Sequence, residues 1–401
     1  MRNKETEIYD LFKTKIALPT NVYVKRAALE KELELSLREN KCLVIRGQSG
    51  AGKSWLYKKK LGELSINYYT TSCTLDNAII DSMITKVGNR VLKEVEEQAS
   101  AKVKALVAEG DLSSKKTYGI TKNDKINLFF KIIKDKKERV VYVFDNLEGI
   151  SEERAKDLVS IIMLIDDEIY PENLKLILVG APEAGYRFFS IIESDNTIRN
   201  RVKLLSKEVG GLTLDETKDF IRNAFIDILD FKISMEQINL IAVYIKTKID
   251  GIPQYVNEYC KYLATEIYEN NDSFDEKMLD SSIASWIKEF DQTIVHEITN
   301  AMNSRNNDTK RRNQVLYVLG EIDKWQFSPT EDIEPEVRRI FSNTGGVDIN
   351  ISQIFRQLID RKILQNSSMN PSLYEFRDRK MRVALRSLLR LNNEQVSVVS
   401  F

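Results

Sequence analysis

Residues 40–56, NKCLVIRGQSGAGKSWL, decide the fold of this chain. The apolar run CLVI at residues 42–45 is typical of a buried strand, and it leads into a turn that contains three glycines. The spacing of GQSGAGKS, residues 47–54, matches the phosphate-binding P-loop, and a helix-like segment follows it, as that motif requires. The stretch therefore predicts a strand, a phosphate-binding loop and a helix, in that order.

The chemistry of this loop predicts a nucleotide site. Glycines let successive backbone N–H groups point into one concavity, and the N-terminus of the next helix adds positive partial charge. Lys53 is expected to reach the β- and γ-phosphates of ATP, and the Ser54 hydroxyl to ligate Mg²⁺. The predicted nucleotide-binding residues of the loop are Gly47, Gln48, Ser49, Gly50, Ala51, Gly52, Lys53, Ser54 and Trp55.

A second strand carries the predicted acidic partner of the metal. Val140–Phe144 is an uninterrupted apolar run of the kind found in strands that are buried on both faces, and Asp145 stands at its end. An acidic residue in that position holds Mg²⁺ in P-loop proteins. Asp145 is therefore the predicted Mg²⁺ residue beside Ser54, and Lys53 and Asp145 are predicted catalytic residues.

Composition and charge limit the functions that the chain can have. There are 60 Lys plus Arg and 60 Asp plus Glu, so no overall field drives binding to nucleic acid or to an anionic membrane. The three cysteines lack a CxxC spacing and predict small core residues in a reducing compartment. The apolar stretches are too short to span a bilayer, and the polar N-terminus is unlike a secretion signal. We expect a cytoplasmic protein that does not contact membranes.

Strand-like and helix-like segments alternate through the first half of the chain. This pattern favours a parallel sheet with helices on both faces. The P-loop domain is expected to occupy residues 1–212, with a helical insertion at about 86–120. The predicted strands are Cys42–Arg46, Ile66–Thr70, Val140–Phe144, Leu174–Val179 and a short one at Glu208–Gly210.

In the second half of the chain, helical patterns replace the alternation of strand-like and helix-like segments. Thr213 and Ser234 each begin a capping-box spacing, which predicts a helical lid domain at residues 213–290. A linker and three further helical patterns follow in residues 291–401, with Asn350 as the predicted N-cap of the third. The segment ILQNSSMNPSLYEFRD, residues 363–378, predicts a β-hairpin. The predicted fold class is α/β, with a P-loop NTPase parallel sheet followed by a helical lid domain and a winged-helix domain.

The order of these parts resembles the STAND and origin-recognition-like branch of the AAA+ ATPases along nearly the whole chain. The resemblance is carried by YVKRAALEKEL, the P-loop, the acidic strand, the turn DGIPQYVNEY and the C-terminal block. It implies adenine contacts in the segment from Tyr23 to Arg26, and a nucleotide contact in the lid turn at Gly251 and Pro253. An ordinary turn between two helices is the alternative for Gly251 and Pro253.

Four residues, at three features of the motif set, depart from the pattern of that family. Asn146 stands where many relatives have a second acid, and an amide cannot accept the proton. Gly180 and Ala181 have no polar side chain where a sensor residue is usual, and Gln254 replaces a lid arginine. The departures imply slow, switch-like ATP hydrolysis, with Glu148 as the nearest carboxylate that could act as the base.

The resemblance also implies an arginine finger that a neighbouring subunit supplies to stabilise charge in the transition state. Arg199 and Arg201 lie in the matching region, and Arg201 is the first choice. Surface arginines without a catalytic role are the alternative. An arginine that acts in trans implies a homo-oligomer.

We interpret the chain as a STAND or AAA+ molecular switch with ATP and Mg²⁺ as cofactors, a slow ATPase that oligomerises. It is expected to regulate a separate effector protein of nuclease or toxin type in bacterial anti-phage defence, because the sequence shows no second catalytic constellation: it has no metal-ligand cluster, and its one histidine allows at most one Ser–His–Asp set. The alternative is a DNA-binding ATPase for target selection in transposition or for initiation of replication, although we expect DNA binding to be weak. A third interpretation is a scaffold that binds nucleotide permanently without turnover.

Overall fold

The structure is a computed structural model, and it describes residues 3–13, 22–74, 79–87, 122–181, 187–289, 291–303, 310–367, 370, 372–378 and 380–398. The chain divides into two compact units. The α/β unit comprises Lys25–Gly210, and the helical unit comprises Met1–Val24 and Gly211–Phe401. The three predicted domains stay a prediction, and the predicted helical insertion lies outside the described residues from residue 88 onward.

Five parallel strands form the sheet of the α/β unit. They are β1 (Cys42–Arg46), β2 (Asn67–Ser72), β3 (Val140–Asp145), β4 (Leu174–Gly180) and β5 (Lys203–Leu204). Their order is β2-β3-β4-β1-β5, so β4 lies between the strand that leads to the P-loop and the strand that ends in Asp145. Parallel strands present their carboxyl ends at one edge, where ligands bind in open α/β sheets.

Helices cover both faces of this sheet. Leu43 and Ile45 of β1 pack into one apolar core, while Cys42 and Val44 pack into another on the opposite face. A strand that is buried on both faces must be apolar throughout, which explains the run CLVI. The helices of the unit are α2 (Ala27–Glu39), α3 (Lys53–Glu63), α4 (residues 79–87), α5 (Lys122–Lys134), α6 (Glu152–Met163), α7 (Arg187–Ser194) and α8 (Asn196–Arg199).

The last strand of the sheet lies earlier in the chain than predicted. The sequence pattern placed it at Glu208–Gly210, but β5 pairs with β1 through Lys203 and Leu204. Val209 makes only an isolated parallel bridge to Gly47. The prediction was wrong because an apolar residue before two glycines resembles the end of a strand. Here that residue, Val209, lies against Gly47 at the start of the P-loop.

The helical unit begins with α1 (Lys4–Leu11) and continues with the lid helices. These are α9 (Leu214–Ile221), which runs on as a π-helix over Arg222–Ile228, α10 (Met235–Ile249), α11 (Pro253–Glu269), α12 (Lys277–Glu289) and α13 (Gln292–Ala301). Thr213 and Ser234 form the two predicted capping boxes, with both reciprocal hydrogen bonds present in each. Within the described ranges, no helix is both long and apolar enough to span a bilayer.

The C-terminal block of this unit has the element order of a winged helix. It contains α14 (Arg311–Glu321), β6 (Gln326–Phe327), α15 (Glu334–Ile340), α16 (Ile351–Asp360), β7 (Leu364–Asn366) and β8 (Tyr374–Phe376). The strands form an antiparallel sheet in the order β6-β8-β7, which includes the predicted hairpin. The predicted fold class is therefore confirmed. The helix α17 (Lys380–Leu388) and the hairpin of β9 (Leu389–Asn392) with β10 (Gln395–Val398) follow.

Asn350 does not cap α16 in the predicted way. Its backbone is left-handed, with φ 55° and ψ 42°, and its side chain makes no capping hydrogen bond. An N-cap residue normally has extended backbone, which directs its side chain to the first N–H groups of the helix. The spacing alone was misleading because it carries no information on this backbone torsion.

Candidate nucleotide site

The predicted P-loop connects β1 to α3. Gly50 and Gly52 have φ values of 76° and 87°, a conformation that glycine adopts without the steric cost of a Cβ atom. Helix α3 begins at Lys53, directly after Gly52, so the positive end of its dipole lies at the loop. The other predicted residues of the loop and of the first turn of α3 are Gln48, Ser49, Ala51, Ser54 and Trp55.

Gly47 is held between two neighbouring backbone segments. Its N–H donates to the carbonyl oxygen of Gly180 at 3.2 Å, and a Cβ atom at this position would lie 2.1 Å from the carbonyl oxygen of Val209. No side chain fits at such a distance. The first glycine of the motif is therefore required by the close approach of Val209.

Lys53 lies inside the loop, with 8% of the residue exposed. Its Nζ donates to the carbonyl oxygens of Gly47 at 2.7 Å and Gln48 at 2.9 Å. Both acceptors belong to the P-loop itself, so the ammonium group is held within the concavity that the sequence predicts for phosphate. This position is suited to a cation that contacts a polyphosphate.

Asp145 meets the P-loop at the carboxyl end of β3, where 8% of the residue is exposed. The Ser54 hydroxyl donates to Oδ2 of Asp145 at 2.9 Å, and the Tyr57 hydroxyl donates to the same oxygen at 2.9 Å. The backbone N–H of Asn146 donates to Oδ1, also at 2.9 Å. The structure thus brings together Ser54 and Asp145, the two predicted metal ligands.

Tyr57 is a site residue that the sequence analysis missed. It stands three residues after Ser54, and residues with that spacing share one face of a helix. Tyr57 is fully buried, and burial together with the nearby Asp145 carboxylate raises the pKa of its phenol. The hydroxyl therefore stays protonated and donates. A polar aromatic residue one turn after the P-loop serine is the signal that could have identified it.

The turn after β3 determines what Asn146 and Glu148 can do. Asn146 has φ 57° and ψ 48°, a left-handed conformation that asparagine tolerates better than most residues. Its side-chain amide donates to the Ser72 hydroxyl at 3.1 Å. Glu148 accepts a hydrogen bond from the backbone N–H of Ala181 at 3.1 Å. Its carboxylate therefore ties this turn to the end of β4, and its role as a base stays a prediction.

Arg26 braces the P-loop from the start of the α/β unit. Its guanidinium donates to the carbonyl oxygens of Ala51 at 3.1 Å and Gly210 at 2.7 Å. The side chain is buried, so these contacts fix the loop against the segment that follows β5. The implied adenine contact of Arg26 stays a prediction.

Arg201 makes its contacts within the α/β unit. Its Nε lies 2.9 Å from a carboxylate oxygen of Asp166, and its Nη1 donates to the carbonyl oxygen of Thr197 at 2.9 Å. Arg199, at the end of α8, is exposed. The trans-acting role of Arg201 stays a prediction, and it would require Arg201 to leave Asp166.

Tyr23 and Pro253 belong to the helical unit. Tyr23 is half-buried, and Pro253 is the first residue of α11. The preceding Gly251 has φ 66°, and its carbonyl oxygen accepts the N–H of Leu212 at 2.7 Å. The nucleotide contacts implied for Tyr23 and Pro253 stay predictions.

The residues at the edge of the sheet fit a magnesium ion bound together with phosphate. Ser54 gives its one hydroxyl proton to Asp145, which leaves the lone pairs of Oγ for a cation. Magnesium is usually held by one or two protein oxygens with phosphates and water. The described part of the chain has no group of three or more His, Cys, Asp or Glu residues that could hold a metal ion. The residues present thus suit a metal that arrives with a nucleotide.

The sheet order, the loop and the acidic strand end define a P-loop nucleoside triphosphatase fold, here followed by a helical lid and a winged helix. Among solved structures, the chain is similar to a Walker-type ATPase of Pyrococcus abyssi, with 15% identity, 94% of this chain and 99% of that chain covered, and a TM-score of 0.53. This likeness shows a shared fold.

Two further solved structures are similar over nearly the same length. A Cdc6 protein of Pyrobaculum aerophilum has 12% identity, covers 94% of this chain and 97% of its own, and has a TM-score of 0.49. The Orc1 protein of Aeropyrum pernix, solved in complex with DNA, has 12% identity, 96% coverage of both chains and a TM-score of 0.47. No protein-family model and no curated protein matches the sequence.

Proposed function

We propose that this protein is an ATP-binding and ATP-hydrolysing switch of the AAA+ class, which oligomerises and regulates a separate effector protein. The observation that carries the proposal is the 2.9 Å hydrogen bond between the Ser54 hydroxyl of the P-loop and Asp145 of the acidic strand. A phosphate loop and a carboxylate that meet at the carboxyl edge of a parallel sheet are the two parts that a magnesium-nucleotide site needs.

Each residue of the site has a defined task in this proposal. The N–H groups of the loop and the N-terminus of α3 bind phosphate oxygens, and Lys53 adds a positive charge beside them. Magnesium, when bound, offsets charge on the phosphates. Ser54 and Asp145 are the residues that would hold it. Arg26 braces the loop through its hydrogen bond to the carbonyl oxygen of Ala51.

Slow hydrolysis is supported by the residues around the strand ends. The amide of Asn146 donates to Ser72 and cannot take a proton from water. Ala181, at the end of β4, offers only a backbone N–H, which Glu148 accepts. Gln254 of the helical unit donates to Glu258. With Glu148 as the remaining candidate base, a nucleotide-gated switch fits these residues better than a fast motor.

Regulation of another polypeptide is supported by the lack of a second catalytic group among the described residues. The one histidine, His296, lies 2.8 Å from the side-chain amide of Asn300, and no group of three or more His, Cys, Asp or Glu residues there could hold a metal ion, so we assign effector chemistry of nuclease or toxin type to a partner. The setting in bacterial anti-phage defence rests on the STAND-like order of parts. A nuclease or toxin gene beside this one would support that setting, whereas a transposase gene would favour target selection.

Lys53→Ala is expected to lower ATP affinity about tenfold or more, because a charge-assisted contact to the phosphates is lost. ATP-dependent assembly should disappear with it. Calorimetry measures the affinity, and mass photometry with ATP or ADP measures the assembly. Lys58→Ala removes the same charge from the same helix and should behave like the parent. Unchanged ATP affinity in Lys53→Ala would refute the site, and ATP binding without assembly would refute the switch.

Glu148→Gln is expected to stop most ATP hydrolysis while ATP binding persists. The amide oxygen of glutamine can still accept the Ala181 N–H, so the contact to β4 survives and only the base is removed. Glu148→Ala loses both the hydrogen bond to Ala181 and the carboxylate, and it serves as the structural control. A parent-like single-turnover rate in Glu148→Gln would mean that Glu148 only ties the turn to β4.

Arg201→Ala tests the arginine that a neighbouring subunit is proposed to supply. We expect it to lower the single-turnover rate only at protein concentrations at which the protein is assembled, so the assay is repeated across a dilution series.

DNA binding is the alternative function, and one observation favours it. Residues 310–390 contain 15 Lys and Arg against 10 Asp and Glu, an excess of five. Two of these arginines, Arg382 and Arg386, are buried against Asp250, which leaves 13 against 10. Few phosphates can be neutralised by this excess, so binding should be lost between low and physiological salt. Tight, sequence-specific gel shifts at physiological salt would favour the alternative.

A further inference from the structure

Tyr57 occupies a defined place behind the magnesium site. Its ring is fully buried in the apolar core between α3 and the sheet, and it packs edge-on against Tyr68 with a centroid distance of 6.2 Å. Its hydroxyl donates to Oδ2 of Asp145 at 2.9 Å, and the side chain of Thr70 lies beside that hydroxyl. The same oxygen accepts the Ser54 hydroxyl. A rigid ring thus carries one donor to the oxygen that joins the strand end to the P-loop.

We infer that Tyr57 is a positioning residue for magnesium, whose hydroxyl holds the Asp145 carboxylate in the orientation that a hydrated cation and Ser54 both need. This inference rests on the proposed function. The torsion that turns a carboxylate about its last bond is soft, so its direction depends on the donors around it. Asn146 fixes Oδ1 and Tyr57 fixes Oδ2, which together prevent that rotation.

The chemistry of a phenol suits this task. A lysine or arginine at position 57 would also donate to Asp145, but its positive charge would offset the carboxylate and weaken its attraction for Mg²⁺. A phenol donates without a net charge. An ordinary phenol has a pKa of about 10 and is protonated at neutral pH, so the hydroxyl remains a donor there. Tyr57 therefore orients the carboxylate and leaves its negative charge available.

The test is the magnesium dependence of ATP binding in Tyr57→Phe, measured by calorimetry at a series of Mg²⁺ concentrations. The substitution keeps the ring in the core and removes one oxygen atom. Loss of a group that orients a metal ligand typically weakens metal affinity by about 10- to 100-fold, so the half-saturating Mg²⁺ concentration should rise about tenfold. Binding of ADP in the presence of a chelator should equal that of the parent, since the P-loop is unchanged.

Tyr142→Phe is the matched control. Tyr142 is also a fully buried tyrosine of the α/β unit, it lies on β3, and its hydroxyl lies 2.5 Å from the Thr71 hydroxyl. Its removal costs a buried hydrogen bond of similar kind without touching the Asp145 carboxylate. The half-saturating Mg²⁺ concentration of this variant should stay at the value of the parent.

Each outcome decides the inference. A rise of the half-saturating Mg²⁺ concentration in Tyr57→Phe, but not in Tyr142→Phe, supports the positioning role. An unchanged or lower half-saturating concentration, an equal rise in Tyr142→Phe, or loss of chelator-insensitive ADP binding in Tyr57→Phe would overturn it, because the tyrosine would then be neutral for the metal or merely part of the core. If the parent itself binds no ATP with magnesium, the proposed function falls and this inference falls with it.

Discussion

Replacing Asp145 by alanine is expected to lower single-turnover ATP hydrolysis about a thousandfold, since a magnesium site is worth several kcal/mol in the transition state and each 1.4 kcal/mol or so is a factor of ten. The carboxylate of Asp145 accepts the hydrogen bond that joins the P-loop hydroxyl of Ser54 to the end of β3. ATP binding should weaken in the presence of magnesium and change little in a chelator.

The control for this variant is Asp135→Ala. Asp135 is an exposed carboxylate in the turn that leads into the opposite end of β3, so its loss removes the same charge from the same unit without reaching the site. Its hydrolysis rate should match that of the parent. A parent-like rate in Asp145→Ala would contradict the metal assignment, and an equal loss in both variants would show that the assay reports net charge or stability.

Asp250→Ala is expected to lower the free energy of unfolding by about 3–5 kcal/mol, the usual cost of removing one partner from a buried ion pair. The Oδ2 atom of Asp250 accepts from Arg382 at 2.8 and 2.9 Å, and Oδ1 accepts from Arg386. The side chains of Asp250, Arg382 and Arg386 are 10%, 4% and 6% exposed. Without the carboxylate, two guanidinium groups of α17 would face each other in the core of the helical unit.

Chemical denaturation measures this cost, and Glu336→Ala provides the comparison. Glu336 pairs with Arg339 at 2.6 Å on the surface, with side chains 41% and 68% exposed, so its removal should cost at most about 1 kcal/mol. A comparable small cost for Asp250→Ala would contradict the buried ion pair. Asp250 directly precedes Gly251 of the lid turn, so the same pair anchors that turn to α17.

Local features of the site were readable from the sequence because they depend on short spacings. The strand β1, the P-loop and α3 follow one another within residues 42–63. The backbone torsions of the loop glycines and the position of Lys53 at the start of α3 depend on that segment alone. The position of Asp145 at a strand end could be predicted because a strand buried on both faces must be apolar. The first charged residue after such a run therefore marks the end of the strand. The capping boxes at Thr213 and Ser234 are equally local.

The sequence by itself thus determined the class of fold and the two predicted metal ligands, Ser54 and Asp145, while tertiary structure decided which residues support them. Tyr57 contacts a carboxylate 88 positions away, and Asp250 is bound by arginines more than 130 positions away. Gly47 needs its glycine because Val209 approaches it. Such contacts depend on strand order and helix packing, which place distant segments side by side, and no spacing within one segment records that placement.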